Sequence, residues 1–590
     1  MDAQTEYQAR LARWLQKEQL YEQRHRHLGG LRILFAAILL FALFMGRMSP
    51  PLVGVAFALI VVGLFLSGMI HDRVLEARDN ARRAVRFYQA ALDRLADKWA
   101  GKGSAGTEFL DPHHPYAIDL DLFGTGSVFE LLNTAQTQGG QKTLAQWLLH
   151  RAPIAEVQAR QTAVAELRHK LDLREDLALL ARDPNANIQT DALLSWAGGT
   201  QLLSSGSARI AAFCLPVLVW GLLLVGEYRL CAIAFAVQIL FASLQQKRAK
   251  TVFDSLAIPA RDLNWLARLF SRMEGEQFQT SSLQQLQTSW THNGVPASVC
   301  FRGLARLLDW VDSREHLIVA MIGPFFLLGT QLAFAVEARR ARFGGEIEGW
   351  LRGLGRMEAL SSLAGYAYEH PADPFPELLP ESSPACIEAQ GLGHPLIPEA
   401  RTVRNDILLD SNHRLLVISG SNMSGKSTLL RALGVNLILA LAGAPVRARR
   451  LRLTPLPVGA SIRTMDSLHE GISRFYAEIK RLRQIIQLAG ENPSLLFLAD
   501  ELLQGTNSHD RRIGAASVVK TLLDRGAMGL VTTHDLALTQ IVEEVKPSGA
   551  NFHFEDQFIE GRMSFDYRLR PGIVEKSNAL ALMRSIGLEV

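Results

Sequence analysis

A loop between two glycines in the C-terminal third of the chain has the residue types and spacing that hold a triphosphate. Gly420, Gly425, Lys426 and Ser427 fill the pattern G-x-x-x-x-G-K-[ST]. In this pattern, backbone N–H groups and a helix N-terminus point at the β-phosphate, the lysine reaches the β- and γ-phosphates, and the hydroxyl binds Mg²⁺. The spacing therefore predicts a site for ATP and Mg²⁺, with Ser427 as one magnesium ligand.

The flanking residues favour this interpretation over a plain turn, which is the alternative. Residues 415–418 are an apolar run that predicts a strand, and the residues after position 428 keep helical spacing. The loop thus begins where a strand ends and opens a helix, as phosphate binding requires. We expect the whole loop to contact the nucleotide: Gly420, Ser421, Asn422, Met423, Ser424, Gly425, Lys426, Ser427 and Thr428.

Two carboxylates follow a second apolar run, residues 495–499. Asp500 has the position of a magnesium ligand at the end of a strand, and Glu501 that of the group that orients or deprotonates the attacking water. A third apolar run, residues 529–533, ends at His534, which we interpret as a γ-phosphate sensor. The alternative for His534 is an ordinary surface position in a loop. Parallel sheets place ligands at the carboxyl ends of their strands, and this favours the sensor.

These groups need a parallel sheet to bring them together, so residues 401–590 are predicted to be an α/β P-loop NTPase domain. Prolines between positions 371 and 380 predict a linker over residues 371–400. With 590 residues the chain is long enough for several domains. Its 62 Lys and Arg against 58 Asp and Glu give a formal net charge of +4, so the whole chain has no strongly basic footprint for nucleic acid.

The N-terminal region combines charged helices with an apolar hairpin. Residues 1–30 predict an amphipathic helix that ends at Gly29 and Gly30. Residues 31–72 contain two apolar runs around a short turn, which predict a transmembrane hairpin; the alternative is a buried hairpin of a soluble protein. Arginines crowd both outer flanks, so both flanks are expected on the cytoplasmic side. Residues 73–122 are expected to form a helix followed by a linker.

The middle of the chain is predicted to be helical and to return to the membrane once. Residues 123–208 and 246–370 have helical patterns, and between them residues 209–245 predict a second transmembrane hairpin. Residues 316–336 are apolar again. A single crossing there would place the ATP site outside the cell, so we interpret this run as a buried helix or a broken segment that enters and leaves on one side. The expected location is the cytoplasmic membrane, with several spans and a cytoplasmic ATPase domain.

The residues within these motifs resemble those of the MutS family. The Asn-Met pair in the phosphate loop is distinctive of that family, although Ser421 and Ser424 stand where it commonly has Pro and Gly. The similarity covers most of 126–182 and 340–590; it is strong in the predicted ATPase domain and moderate before it, where it suggests a helical MutS-like core and lever. Further matching stretches lie at the family's spacing: Asp500-Glu501 with 505–510, Thr533-His534 with 538–540, 470–478, and Lys576-Ser577.

The resemblance implies a homodimer in which each phosphate loop is completed by the neighbouring subunit. It makes Ser473 the residue that touches the partner's γ-phosphate; a helix N-cap is an equally good interpretation of this serine. By position, Tyr567 replaces a ring that stacks on adenine, and Val403 would lie on the other face of the base. A core aromatic is the alternative for Tyr567.

The chain also departs from the family in ways that bear on function. Residues 1–122 contain no counterpart of the mismatch-reading domain, and apolar runs occupy the place of the DNA clamp. Two hypotheses therefore remain open. The first is a membrane-anchored ATPase whose dimeric helical clamp grips double-stranded DNA through its backbone, in a repair or recombination role without mismatch reading. Under it, Arg447, Arg449, Arg450 and Arg452 are a candidate basic cluster. The second is a mechanochemical ATPase that acts on a lipid or protein partner.

Overall fold

The computed structural model describes residues 2–44, 50–180, 190–203, 206–255, 260–313, 317–463, 474–492, 494–559 and 562–574. The helices in these ranges are α1 (Ala3–Phe44), α2 (Pro50–Leu95), α3 (Val128–Leu132), α4 (Gln138–Leu149), α5 (Ile154–Leu167), α6 (Leu171–Leu180), α7 (Thr190–Ala197), α8 (Gly206–Val225), α9 (Tyr228–Ser255), α10 (Ala260–Glu274), α11 (Ser281–Thr288), α12 (Ala297–Ser313), α13 (Leu317–Ile322), α14 (Leu328–Glu369), α15 (Lys426–Ala442), α16 (Arg474–Glu491), α17 (Ser508–Asp524) and α18 (Ile541–Glu544).

The strands are β1 (Thr291–His292), β2 (Val295–Pro296), β3 (Glu377–Leu378), β4 (Ile387–Leu392), β5 (Asn405–Leu409), β6 (Leu415–Ser419), β7 (Arg450–Leu453), β8 (Val458–Ser461), β9 (Leu496–Asp500), β10 (Met528–Thr533), β11 (Gly549–Ile559) and β12 (Arg562–Pro571). The chain divides into two compact units. One comprises residues 1–135, 141–169 and 359–590, and the other comprises 136–140 and 170–358.

A six-stranded sheet forms the centre of the first unit, in the order β12-β11-β6-β10-β9-β8. Strands β11, β6, β10, β9 and β8 pair in parallel, and β12 returns antiparallel at the edge. The parallel strands β6, β9 and β10 are apolar almost throughout because helices cover both faces of such a sheet. Their carboxyl ends therefore meet at one edge, which confirms the predicted α/β domain.

Residues 371–400 are not the linker that the prolines predicted. They contribute β3 and β4 to a second sheet, in the order β3-β7-β4-β5. The prolines lie outside the paired residues of these strands, where a missing N–H costs no sheet hydrogen bond. The second sheet, which also contains β5 and β7, thus begins before residue 401.

Helices α1 and α2 form an antiparallel pair that is longer than predicted. The helix does not end at Gly29 and Gly30 but continues to Phe44. A glycine inside a helix costs only about 1 kcal/mol relative to alanine, and α1 packs along α2 on both sides of this point: the Tyr7 and Tyr88 rings lie 5.7 Å apart, and the Arg32 Nε donates to the Ser67 Oγ at 3.1 Å. The turn of the predicted hairpin at 45–49 lies outside the described residues.

A single carboxylate ties this helix pair to the end of α14. Arg94 donates to both oxygens of Glu369 at 2.6 and 2.8 Å, and the Tyr7 hydroxyl lies 3.4 Å from the same carboxylate. The Glu369 side chain is almost fully buried. A buried charge needs such partners to offset its desolvation. These contacts therefore hold the helix pair against the end of α14.

Residues 111–122 belong to the linker that was predicted at the end of the 73–122 region. They are also packed rather than free. Tyr116, Leu120 and Leu122 are buried, and the Ala460 N–H donates to the Pro115 carbonyl at 2.9 Å. The Asp119 carboxylate accepts from the backbone N–H groups of Ile462 and Arg463 at 2.7 and 2.8 Å. The segment therefore docks on the end of β8 in the ATPase domain.

In the second unit, α8 and α9 form a hairpin whose surface is apolar. Among the described residues, these are the two helices long and apolar enough to cross a bilayer, with mean hydropathies of 2.2 and 1.5 and only 17% and 11% of those windows buried. Helix α9 continues to Ser255, beyond the predicted limit of the hairpin at 245. The apolar run 316–336 is broken: α13 is followed by a 3₁₀ turn at Gly323–Phe326 and by Leu327 with a positive φ of 50°, and α14 begins after it.

Candidate functional site

The phosphate loop lies between β6 and α15, with the backbone conformation that its glycines allow. Gly420 and Gly425 have φ of 155° and 102°. A Cβ at Gly420 would lie 3.1 Å from the Phe554 carbonyl oxygen, and one at Gly425 would lie 3.1 Å from the Tyr567 ring. These two positions therefore need glycine both for conformation and for space. Helix α15 begins at Lys426, so its N-terminus lies at the loop, where its first N–H groups would bind an anion.

Lys426 begins α15 and is buried under the loop. Its Nζ donates to the carbonyls of Gly420 and Ser421 at 2.9 and 2.7 Å and lies 3.8 Å from the Glu501 Oε1. Burial lowers the pKa of Lys426, and the Glu501 and Asp500 carboxylates oppose that shift. A cation in this position can neutralise phosphate charge in surroundings that screen poorly, where the interaction is stronger than in water.

Asp500 and Glu501 lie where β9 ends, beside β10. The Thr532 hydroxyl donates to the Asp500 carboxylate, and the Glu501 N–H donates to the Thr532 carbonyl at 3.1 Å. Glu501 has φ of 52°, a left-handed conformation that costs a non-glycine residue of order 1–3 kcal/mol. Thr532 therefore holds both acidic residues in place.

His534 follows β10 and contacts the proposed base. Its Nδ1 lies 3.2 Å from the Glu501 Oε1, and its side chain is partly exposed. Glu501 thus lies between Lys426 on one side and His534 on the other. The structure brings the three predicted catalytic groups of this subunit together, with Lys426 and His534 contacting the same carboxylate.

A cavity of about 1060 Å³ opens beside the loop. Tyr567 and Val403, the two predicted base-contacting residues, both line it, together with His394 and Ile397. Asn405 fixes Tyr567 by donating from its side chain to the Tyr567 carbonyl at 3.0 Å. The cavity is large enough for a nucleotide. Its lining combines loop residues, both acidic residues and apolar side chains, among them Asn422, Met423, Gly425, Lys426, Ser427, Thr428, Asp500 and Glu501.

The residues present fit a magnesium nucleotide. The Ser427 hydroxyl and the Asp500 carboxylate are oxygen ligands of the kind Mg²⁺ prefers, and both line the same cavity as the Lys426 ammonium. Magnesium would supply charge neutralisation on the phosphate oxygens there. Gly425, without a Cβ, leaves the aromatic Tyr567 in direct contact with the loop.

His394 is a site residue whose role the sequence did not reveal. It is buried, and its Nδ1 accepts from the Leu396 N–H at 3.2 Å. Burial lowers its pKa to about 4, and the charge of Arg431 acts in the same direction. His394 is therefore a neutral histidine at neutral pH.

Two predicted features remain, one of them untested and one different from the expectation. Ser473 lies outside the described residues, so its contact with a partner nucleotide stays a prediction. The arginines of 447–452 do not form a basic turn: Arg447 is buried against Asp373 and Glu399, and Arg450 and Arg452 both pair with Glu377. These three arginines lie in and before β7, where acidic residues of neighbouring segments offset their charge, whereas Arg449 is exposed. This cluster is therefore a poor candidate for binding DNA.

The C-terminal part of the chain matches a known family. Residues 416–589 match the family model described as MutS domain V, and this range contains the phosphate loop, Asp500, Glu501, His534 and Tyr567. This segment is similar to the MutS family over about a third of the chain. The match confirms the resemblance for the part of the chain that carries the site. The matched residues thus include most of the six-stranded sheet and one wall of the cavity, while Val403 and His394 precede them.

Two relatives support the same conclusion. The chain is 36% identical over 199 residues to Endonuclease MutS2 of Thermus thermophilus, an alignment that covers 33% of this chain and 25% of that protein. It is 30% identical over 286 residues to DNA mismatch repair protein MutS 2 of Halobacterium salinarum, covering 47% of this chain and 32% of that protein. The chain therefore spans a quarter to a third of the length of these relatives.

Proposed function

We propose that this chain is a membrane-anchored MutS-type ATPase that acts on double-stranded DNA without reading mismatches. The observation that carries the ATPase part is the convergence of Lys426, Asp500 and Glu501 on one cavity that also has Tyr567 in its wall. Such a convergence of a cation, two carboxylates and an aromatic ring suits binding and hydrolysis of ATP.

Each residue has a role that its position supports. Lys426 binds the β- and γ-phosphates, and Ser427 and Asp500 hold Mg²⁺. Glu501 orients the attacking water and accepts its proton, while His534 contacts Glu501 and responds to the γ-phosphate. Tyr567 and Val403 hold the base between them. The Glu501 backbone is held by its hydrogen bond to Thr532, so this proton acceptor is positioned before nucleotide binds.

The dimer is part of this proposal. The family resemblance implies that Ser473 of one subunit completes the site of the other. Helix α16 begins directly after this serine, and its Glu478 accepts from the Leu503 N–H at 2.5 Å. The segment that would reach the partner is therefore joined to the loop that follows Glu501. This connection would let nucleotide state alter the dimer contact.

Anchoring in the cytoplasmic membrane is supported by the α8–α9 hairpin. Leu224, Val225 and Tyr228 at its tip are exposed, the first by 85%. Leaving so much apolar surface in water is unfavourable by roughly 25 cal/mol per Å². Lys247, Arg248 and Lys250 follow the apolar part of α9, which favours that end on the cytoplasmic side. The ATPase domain would then lie in the cytoplasm.

The names of the two relatives support DNA as the partner, since one is named as an endonuclease and the other as a DNA mismatch repair protein. The second candidate is an ATPase that moves a lipid or protein partner. It is favoured by the apolar hairpin at α8 and α9, which occupies the part of the chain where the family's DNA clamp is expected. Both candidates share the same ATP chemistry.

The ATPase proposal is tested with two substitutions in the full-length protein. Lys426→Ala should abolish tight ATP binding, and Glu501→Gln should retain binding and lower kcat by about 10²-fold or more, because the proton acceptor is lost. Equilibrium binding and single-turnover hydrolysis separate the two effects. The control is Glu555→Gln, which lies on β11 in the same domain and outside the cavity lining. Unchanged turnover in Glu501→Gln would show that another group is the base.

A further inference from the structure

The broken apolar run of the second unit packs against the α8–α9 hairpin through its break. The Phe325 ring stacks on Phe235 with centroids 5.0 Å apart, and the Phe326 ring stacks on Trp220 at 5.5 Å. The Gln238 Nε2 donates to the Pro324 carbonyl at 2.7 Å. All three contacts are made by the 3₁₀ turn at Gly323–Phe326.

These contacts give the level of the turn along the hairpin. Trp220 lies five residues before the end of α8, and Gln238 lies ten residues after the start of α9. At a rise of about 1.5 Å per residue, the turn contacts the hairpin roughly 7–15 Å from its tip. Helix α8 has 20 residues, which corresponds to about 30 Å. The turn is therefore near the middle of the hairpin.

Helix α14 then runs away from the tip. Its Gln331 donates from Nε2 to the Ala212 carbonyl at 3.3 Å, and Ala212 lies thirteen residues before the end of α8, about 20 Å from the tip. Between Pro324 and Gln331 the chain has thus moved from the middle of the hairpin towards its base. The same end of the hairpin carries Lys247 and Arg248.

Side chains bond two carbonyls of the break, as a segment in lipid requires. A carbonyl without a partner in hydrocarbon costs several kcal/mol. Gln238 bonds the Pro324 carbonyl, and the Gln331 side chain bonds the Phe326 carbonyl at 2.9 Å. Gln238 itself is fully buried although its helix is largely exposed and apolar. Gln238 and Gln331 thus both bond the irregular backbone.

The outward surface of the break is apolar. Met321 is 67% exposed, and Ile322, Phe325 and Phe326 are exposed as well. These side chains extend the apolar surface of the two helices beside them, whose mean hydropathies are 2.2 and 1.5. Its height of about 30 Å equals the hydrocarbon thickness of a bilayer, which identifies lipid as the occupant of this surface.

We infer that residues 317–336 form a re-entrant membrane element that enters the bilayer beside the α8–α9 hairpin, turns near its middle, and leaves on the side it entered. The inference rests on the proposed anchoring of α8 and α9. It explains how an apolar run of this length keeps the residues before and after it on one side. Gln238 is the residue that positions the turn.

The test measures which side of the membrane each position faces in full-length protein in sealed vesicles. The four native cysteines are first replaced by alanine. Single cysteines are then introduced as Asp312→Cys, Phe325→Cys, Arg342→Cys, Glu227→Cys and Lys250→Cys, and vesicles of both orientations are treated with a membrane-impermeant maleimide. Asp312→Cys, Arg342→Cys and Lys250→Cys should be labelled from one side, Glu227→Cys from the other, and Phe325→Cys from neither.

Each other pattern contradicts a separate statement. Labelling of Asp312→Cys and Arg342→Cys from opposite sides would mean that the run crosses, and rapid labelling of Phe325→Cys would mean that it lies at the surface. Either result would overturn the inference without contradicting the proposed anchoring by α8 and α9. Labelling of Glu227→Cys and Lys250→Cys from one side would instead overturn the anchoring by this hairpin.

A second variant tests the role of Gln238. Gln238→Leu removes the donor to Pro324 and should make Phe325→Cys accessible to the maleimide. The matched control is Gln246→Leu, an exposed glutamine on the same helix, which should leave Phe325→Cys protected. Equal protection in both backgrounds would show that Gln238 does not hold the turn.

Discussion

Tyr567 has a backbone conformation that few aromatic residues adopt, with φ of 55°. Its ring contacts Gly425 of the phosphate loop, and Asn405 bonds its carbonyl. Strain of this kind persists only where neighbouring groups fix the conformation, and it is common at ligand sites. This supports the proposed stacking of Tyr567 on the base over a role as an ordinary core residue, since the ring is also partly exposed to the cavity.

Substitution of Tyr567 measures that contact. Tyr567→Ala should weaken ATP binding about tenfold, because loss of an aromatic stack costs about 1 kcal/mol or more. Tyr567→Phe should bind ATP as the unaltered protein does, because the face of the ring is kept. Equilibrium titration with a fluorescent ATP analogue gives both values. Equal weakening by the two substitutions would point to the hydroxyl and not to stacking.

His394 predicts a dependence of stability on acid pH. In the unfolded chain its pKa is about 6.5, whereas burial lowers it to about 4 in the folded protein. The unfolded state therefore binds a proton between these values that the folded state does not. The free energy of unfolding should fall as pH decreases from about 6.5 to 4, by at most about 3 kcal/mol from this group.

The measurement compares two variants over that pH range. His394→Asn keeps an acceptor for the Leu396 N–H and cannot take up the proton, so its unfolding should depend less on pH than that of the unaltered protein. His509→Asn replaces an exposed histidine of the same domain and is the control. Parallel pH curves for all three proteins would exclude His394 as the source.

The sequence predicted the residues whose spacing is set by their own local backbone. Gly420, Gly425 and Lys426 belong to one loop, so a short pattern contains the whole arrangement. Thr532 and Asn405 were missed because their partners are distant in the chain: Thr532 bonds Asp500, and Asn405 bonds Tyr567, 162 positions away. Hydroxyls and amides carry no signal until the fold brings such pairs together.

At the scale of elements, turn-rich composition was a poor guide. Residues 101–122 and 371–400 contain the glycines and prolines typical of linkers, yet both contain packed structure. Backbone groups of such segments can be buried when strands or side chains bond them. Asp119 does so for Ile462 and Arg463, and Asp121 pairs with Arg431 of α15 at 3.2 Å. Periodic patterns in the sequence do not predict contacts of this kind.

Asp119 predicts a measurable connection between the N-terminal segment and the ATPase domain. Asp119→Ala leaves two backbone N–H groups without their acceptor and should lower the free energy of unfolding by about 2–4 kcal/mol. It should also speed hydrogen exchange at Ile462 and Arg463, directly before the segment that contains Ser473. The matched control is Asp111→Ala, an exposed aspartate of the same segment that bonds only locally, to the His113 N–H. Unchanged exchange at both amides would remove this connection.

At the scale of the whole molecule, the two proposed partners predict different responses to salt. A protein that grips DNA through phosphates releases counterions, so its affinity falls steeply as salt rises. For about six phosphate contacts, the affinity of the detergent-solubilised protein for a duplex should fall by about 10³-fold between 50 and 200 mM salt. Fluorescence anisotropy at several salt concentrations gives the slope. Weak, salt-independent binding would favour the lipid or protein partner, with the ATPase proposal unaffected.

If residues 31–72 cross a bilayer, as the sequence predicts, the α1–α2 pair sets a distance between the six-stranded sheet domain and the lipid. From Tyr7, at the Glu369 contact, to Arg32, where the apolar run begins, α1 rises by about 37 Å. If the hydrocarbon begins there, headgroups cover only roughly 5–8 Å of that length. The domain with the phosphate loop would then lie about 30 Å above the bilayer surface, so a ligand would reach it without entering the lipid. Removing seven matched residues from each helix would lower that height by about 10 Å while preserving the faces that pack.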